Sequence, residues 1–429
     1  MSQEVWKMFP QCSNRKMLYD FQKEILDEID PSYLLAMDTG TGKTLTAIHH
    51  YAKWSKGEPL LIVAPPQKIN EGGWERDIQM FCDYYNVSIE FETLSYGKLF
   101  NGRTKNGKRE INTSLNQYVG WHIIFDEAHY IKNPTSERGK AALKLMNKAT
   151  NFCLLTATPA SNGWEDTYTY MIAFGYFKNK KEMVADFAEW GTMYLGTRHI
   201  PKINGWKNQH ILEAYYDSYA ISINKNDALD LPPLIIKDVP FKKSTEYGKI
   251  LKDRVFNEVD YDTAPKLAHG LRQYANQKEK LEYVQMLCEG TQNNIVIFYY
   301  YQIELEALKK GIKNKKIFEV NGQTSKLPKK ETWSGLKNTV TLIQYMAGSA
   351  GIELQYANEV VFYTPTYSYQ DFSQAMGRAY RNGQKRKVTM YRFITQNTIE
   401  QAIYEALENK EDFSEMLYMK TKLLGEKLK

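Results

Sequence analysis

The sequence predicts an α/β protein of two tandem lobes, each a largely parallel sheet flanked by helices, with a small helical insertion between them. Two patterns carry that expectation. From residue 15 to about 160, short apolar runs (LLAMD, PLLIVAPP, HIIFDE, FCLLTATP) alternate with stretches of helical spacing, the rhythm of strand and crossover helix. The same rhythm returns in NIVIFYYY (294–301), KIFEV (316–320), VTLIQYMAG (340–348), EVVFYTP (359–365) and VTMYRFI (388–394). Length agrees, because 429 residues exceed a typical single core and favour two or three domains.

Taken in order, residues 1–160 form the first lobe. Residues 161–230 are rich in Trp, Tyr and Phe at helical spacing and contain no strong strand run, so they read as a helical insertion and linker. Trp164, Trp190 and Trp206 within it are either core residues or a wedge. In ALDLPPLIIKDVPF (228–241), paired prolines mark a linker entering a strand. Residues 231–429 form the second lobe, with a long helical region to about 290 and a C-terminal helical tail.

Three segments concentrate the chemistry. MDTGTGKT (37–44) lies between an apolar run and the helical pattern TLTAIHHYAKW, the setting of a phosphate cradle. Thr39, Gly40, Thr41 and Gly42 form its loop, and the two glycines let backbone N–H groups turn toward anionic oxygens at a helix N-terminus. Lys43 would reach the β- and γ-phosphates of ATP, and the Thr44 hydroxyl would hold Mg²⁺. Met37 stands where the general pattern has glycine. In FDEAH (125–129), an apolar run delivers Asp126 and Glu127 to a strand's carboxyl end, where Asp126 would complete the Mg²⁺ shell and Glu127 would activate water. Unlike the first lobe, the second has no phosphate loop; its QAMGRAYRNGQ (374–384) opens on Gln374 and carries Arg378 and Arg381, three apart and so on one face if helical. The two arginines are either fingers for a transferring phosphoryl group or a basic face for nucleic-acid phosphates. A nucleotide-binding lobe followed by an arginine-bearing one implies a site at their interface, where hydrolysis becomes relative motion.

Composition is that of an ordinary globular chain, 43% hydrophobic and 25% charged. The net charge of +6 permits a polyanionic partner without demanding one. Positive charge gathers in NGRTKNGKRE (101–110), KKGIKNKK (309–316), RNGQKRK (381–387) and the tail, and only the third run abuts a motif. Cys12, Cys82, Cys153 and Cys288 are scattered, with no C-x-x-C pair to hold zinc. No signal core or long apolar run is present, so the expectation is a cytoplasmic protein with no membrane contact, in the host cytoplasm if viral.

With these residues in place, the chain resembles superfamily two helicases and translocases, and more narrowly the Swi/Snf-type ATPases. The stretches that carry this resemblance are DEAHYIKNPTSERGKAAL (126–143), LTATPASN (155–162), DALDLPP (227–233) and QAMGRAYRNGQ (374–384), within a similarity over roughly residues 15–400. It implies two RecA-like lobes, ATP and Mg²⁺ as cofactors, adenine recognition by Gln22, and coupling of the nucleotide site to the DNA track by Thr156 and Thr158. It also implies DNA contacts at Pro65, Gln67, Lys68, Ser95, Tyr96, Lys132, Asn133, Tyr299, Gln302 and Ser349, and a close backbone approach to the nucleotide at Gly351. Phosphate contacts of this kind grip a strand without reading its sequence. Glu353, Gly377 and Asn224-Lys225 depart from the family's pattern.

The expected activity is that of an ATP-dependent DNA translocase, duplex favoured over single strands and RNA ranked last, in a compact bacterial or phage form serving replication, recombination or repair. The length leaves no room for a chromatin-reading appendage. Two alternatives stay open: a strand-separating helicase, and an ATP-gated DNA-binding scaffold that needs a replication or recombination partner such as a nuclease or primase.

Overall fold

Strands buried on both faces read as unbroken apolar runs, and such runs become the centre of two separate sheets in the computed structural model. It describes residues 17–70, 72–103, 109–160, 163–195, 198–345, 352–409 and 412–413. The chain divides into two units, Met1–Ala228 and Leu229–Lys429.

The first unit contains β1 (Tyr33–Met37), β2 (Leu60–Ala64), β3 (Phe91–Ser95), a short antiparallel pair β4 (Phe100–Arg103) and β5 (Arg109–Ile111), then β6 (His122–Asp126), β7 (Asn151–Thr156), β8 (Ala188–Leu195), β9 (Arg198–Trp206) and β10 (Ala220–Ile223). Six of these make one sheet in the order β10-β1-β7-β6-β2-β3, every pair parallel. Every residue of β1, β2 and β6 is buried. Leu34, Leu61, Ile123 and Leu154 pack into the core on one face, while Leu35, Ile62, Ile124 and Leu155 pack into the other. Because all six strands run the same way, the loops that follow them emerge along one edge.

The segment expected to be a helical insertion is different in two respects. It contains the helices Tyr168–Ala173, Lys180–Phe187 and Gln209–Tyr219, but β8 and β9 form an antiparallel hairpin between them. The chain then returns to the first sheet as β10, with Leu34 to Met37 of β1 in register with Ala220 to Ile223, so the first unit extends to Ala228. The reason lies in burial: β10 is only four residues long and mostly half-exposed, so no apolar run announces it. Trp164 and Trp206 pack against the core, whereas Trp190 on the hairpin is 59% exposed.

The second unit contains β11 (Leu234–Phe241), a two-residue pair β12 (Val255–Phe256) and β13 (Val259–Asp260), β14 (Ile295–Tyr299), β15 (Lys316–Val320), β16 (Ser325–Lys326), β17 (Thr339–Gln344), β18 (Glu359–Phe362) and β19 (Val388–Thr395). Its sheet runs β11-β19-β18-β14-β17-β15-β16, parallel except for the β15–β16 pair at one edge. The helices Thr245–Asp253, Ala264–Gln273 and Lys278–Gly290 supply the helical region expected before β14.

Two buried polar clusters fix the second unit. Arg272 is 1% exposed, with its guanidinium 3.8 Å from the ring centres of both Tyr300 and Tyr367. Its Nε donates to the Tyr301 hydroxyl at 3.0 Å and its Nη1 to the Pro365 carbonyl at 3.3 Å. Lys280 and Glu400 form an ion pair in which both side chains are fully buried, and the second carboxylate oxygen of Glu400 accepts from the Thr395 N–H at 2.9 Å. Glu400→Gln strands the Lys280 ammonium, so we expect urea unfolding to show the second unit weakened by about 3 kcal/mol. The double change Lys280→Met with Glu400→Leu removes both charges and recovers most of that loss.

The first unit carries a different sensitivity. His50 and His122 are buried with ring centres 5.6 Å apart, and His50 Nε2 donates to the Asp30 carbonyl at 2.8 Å. Burial holds His50 down at about 4 despite that hydrogen bond, and burial with the neighbouring His50 holds His122 well below the usual imidazole range. Both are neutral when folded and take up protons near pH 6.5 when unfolded, so their contribution is whole above pH 6.5 and drains away as pH falls toward 4. By pH 5 the loss at His50 should reach about 2 kcal/mol, with a further loss in the same direction at His122, measurable as a falling Tm that His122→Leu flattens.

Candidate nucleotide and nucleic-acid site

The phosphate loop grows directly out of β1. Gly40 and Gly42 both adopt φ +86°, which a side chain would resist, and Gly42 caps the helix Lys43–Trp54. Thr41 is fully buried and its hydroxyl donates to the Asp38 carbonyl at 2.7 Å, while Asp38 accepts the Lys225 N–H at 2.9 Å just past β10. Thr39 lies half-buried within the turn, and Lys43 and Thr44 are the first two helical residues. Lys43 Nζ donates to the Met37 carbonyl at 2.6 Å, and desolvation lowers its pKa to about 8 against the raising influence of Glu127.

Gln22 does more for the loop than sequence suggests. Its Nε2 donates to the Thr41 carbonyl (3.1 Å), the Gly42 carbonyl (3.3 Å) and Thr46 Oγ1 (3.0 Å), while its Oε1 accepts the Tyr19 N–H at 2.8 Å. With 1% of its surface exposed, it braces the backbone of the loop where an adenine contact was expected. A side chain at position 42 would meet that amide at 2.4 Å.

Asp126 ends β6 and Glu127 follows it, two strands from β1 with β7 between them. Asp126 is 2% exposed and densely held: Trp74 Nε1 donates to its Oδ2 at 3.1 Å, and the Tyr96 hydroxyl donates to its backbone carbonyl at 2.9 Å. Lys68 Nζ lies 3.0 Å from both Asp126 carboxylate oxygens and 3.1 Å from Glu127 Oε1. Glu127 has a left-handed backbone, φ +56° and ψ +55°. Burial alone would raise its pKa, but the Lys68 and Lys43 ammonium groups pull it down to about 2. Those same carboxylates hold Lys68 above its usual range despite its own desolvation. Thr156 ends β7, and its Oγ1 accepts the Thr158 N–H at 3.1 Å, so the two hydroxyl residues form one turn between the phosphate loop and the acids.

Several expected DNA contacts are placed otherwise. Lys68 faces the acids, and Tyr96 is 2% exposed beneath Asp126. Tyr299 is fully buried at the end of β14, because that strand is covered on both faces. Lys132 pairs with Asp166 at 2.9 Å, and Asn133 holds a turn through Thr135 N–H (3.0 Å) and Oγ1 (2.8 Å), although its side chain remains exposed. Gln67 is exposed, Pro65 and Ser95 are half-buried, and Gln302 is exposed and lines a cleft of about 820 Å³ in the second unit. Ser349 and Gly351 lie outside the described residues.

The arginine segment also differs from its expected form. The helix Tyr369–Ala379 carries Gln374 and Arg378, four apart, but it ends before Arg381, with Tyr380 at φ −101° and ψ 85°. Arg381 sits in a turn held by Gln384, whose Nε2 donates to the carbonyls of Ala357 (2.9 Å) and Ala379 (3.1 Å). Gly383, at φ +91°, turns the chain beyond the helix, which Tyr380 has already left. Of the departures from the family's pattern, Glu353 pairs with Lys330, Gly377 is buried in the helix, and Asn224-Lys225 abuts Asp38. Sequence reasoning missed Trp74 and Asp38, neither of which has a local signature.

Comparison with known proteins adds to this geometry. Residues 25–195 match the SNF2-related domain, and residues 278–383 match the helicase conserved C-terminal domain. The SWI/SNF-related matrix-associated actin-dependent regulator of chromatin subfamily A-like protein 1 of Xenopus laevis is 24% identical over 88% of this chain and 41% of its own length. The ATP-dependent helicase YqhH of Bacillus subtilis is 22% identical over 94% of this chain and 78% of its own. The DNA annealing helicase and endonuclease ZRANB3 of Bos taurus is 25% identical over 92% of this chain and 40% of its own. The chain thus spans about two fifths of the two vertebrate relatives. An SNF2-related domain followed by a helicase conserved C-terminal domain makes this chain a homologue of the Swi/Snf-type ATP-dependent helicases of superfamily two.

Proposed function

We propose that the chain is a DNA-dependent ATPase that converts hydrolysis into movement along duplex DNA. The observation that carries this reading is the arrangement at one edge of the first sheet, where the Lys43 loop and the Asp126–Glu127 pair flank the Thr156–Thr158 turn. Thr44 and Asp126 offer a hydroxyl and a carboxylate, hard oxygen donors suited to Mg²⁺, which neutralises phosphate charge when bound. Lys43 and the N–H groups of Gly40 to Thr44 bind the phosphates, and Glu127 accepts the proton of the attacking water. Arg378, near the end of the helix, and Arg381, in the turn that follows it, are both finger candidates. Work in replication, recombination or repair is the process we assign. The DNA named in the bovine relative supports DNA as the polymer.

Lys43→Ala should nearly abolish ATP turnover, and Glu127→Gln should do so while leaving ATP binding largely intact, checked by steady-state hydrolysis beside equilibrium binding. Turnover measured at one salt concentration without nucleic acid and with blunt duplex, single-stranded DNA or RNA should be highest with duplex. Absence of stimulation by any DNA rejects the reading.

Arg381→Ala should lower kcat at least ten-fold with little change in nucleotide affinity, the scale of a lost arginine finger or somewhat below it. A change confined to the salt dependence of DNA binding would move Arg381 to the DNA track instead. The exposed Trp190 on the β8–β9 hairpin favours strand separation as a second reading. Loss of forked-duplex unwinding in Trp190→Ala, with ATP turnover kept, would establish it.

A further inference from the structure

We propose that Lys68 is a positioning residue of the nucleotide site, an internal counter-ion that holds Asp126 and Glu127 and that a nucleotide-bound divalent cation must displace. The inference rests on the nucleotide-site reading above. Lys68 lies on the five-residue helix Pro66–Asn70, directly after β2, and β2 is the sheet neighbour of β6. Its Nζ is equidistant, at 3.0 Å, from the two oxygens of Asp126 and reaches Glu127 Oε1 at 3.1 Å. The side chains of Asp126 and Glu127 are 3% and 11% exposed, so they draw little help from water and need a cation beside them.

Lys43, expected to reach the β- and γ-phosphates, donates to the Met37 carbonyl and, among the described residues, makes no ion pair this close to the acids. Trp74 fixes the Asp126 carboxylate from another side through Oδ2, leaving it little freedom to turn away from Lys68. His129 also adjoins the pair, with its Nδ1 3.5 Å from Glu127 Oε2.

A divalent cation and an ammonium repel each other and seek the same oxygens, so both cannot engage Asp126 fully. Lys68 is 26% exposed on a flexible stem and can swing outward, whereas the buried acids cannot. Metal–nucleotide binding is therefore a cation exchange. The exchange frees the helix that also bears the exposed Gln67, a residue expected to meet DNA. Nucleotide state is thereby passed to that helix through one ion pair.

The test is calorimetric binding of ADP to the full chain, with Mg²⁺ and separately with a chelator, for the native protein, Lys68→Met and Lys68→Arg. The readout is the ratio of the two affinities. Loss of the competing ammonium in Lys68→Met should raise that ratio roughly ten-fold, the scale of one partly buried charge pair, while Lys68→Arg stays within about two-fold of the native value. A residue that merely supported the fold would weaken both affinities and leave the ratio unchanged or lower, which overturns the proposal. Should Lys68→Met fail to fold, Lys68→Gln removes the same charge and answers the same question. Native protein that binds ADP no better with Mg²⁺ overturns the metal–nucleotide reading itself, and this proposal with it. Metal-dependent native binding with an unaltered ratio in the variants overturns only the role of Lys68.

Discussion

The constraint on which the rest depends is the common direction of the strands in the first sheet. A parallel strand must be followed by a crossover before the next can begin, so all carboxyl ends gather along one edge. The phosphate loop after β1, the Lys68 helix after β2, Tyr96 after β3, the acids after β6, the Thr156 turn after β7 and Lys225 after β10 all emerge there. Residues as far apart in sequence as Asp38 and Lys225 become hydrogen-bonded neighbours as a result. Reversing any one strand would remove its contribution from the edge altogether.

What that edge assembles is a balance of charge in a partly dry place. Two carboxylates with little exposure sit beside Lys68, and the Lys43 ammonium lowers the Glu127 pKa further. Neutral groups hold the geometry: an indole N–H, a phenol hydroxyl and a buried amide fix Asp126 and the loop without adding charge. Such groups restrain atoms while leaving the electrostatic field to the ions.

The architecture was largely legible because fully buried parallel strands leave continuous apolar runs, as in LLAM, LLIVA and HIIFD of the first sheet and IVIFY of the second. Elements lacking that burial escaped notice: β10 is short and half-exposed, and the β8–β9 hairpin mixes Trp, Tyr, Gly and Pro without alternation. At the site, residue types were readable but their partners were not. Lys68 and Asp126 are 58 positions apart, and no local pattern tells a lysine that meets a carboxylate from one that meets solvent. The burial of Tyr96 and Tyr299 escaped notice for a related reason, since an aromatic beside a motif is as often buried support as a contact surface. The arginine helix ends at Ala379, where the Gln384 amide donates to the last helical carbonyl, a contact that a three-residue spacing does not disclose.

Glu127 carries one last consequence. Its backbone is left-handed, a conformation that costs a residue with a side chain on the order of 1 kcal/mol and that glycine accepts freely. Glycine would relieve the backbone, but it would also remove the carboxylate whose pKa Lys68 and Lys43 hold down to about 2, a larger contribution than the strain. The same charge that serves the chemistry thus holds a reluctant backbone in place, and the left-handed turn persists only as long as its cations do.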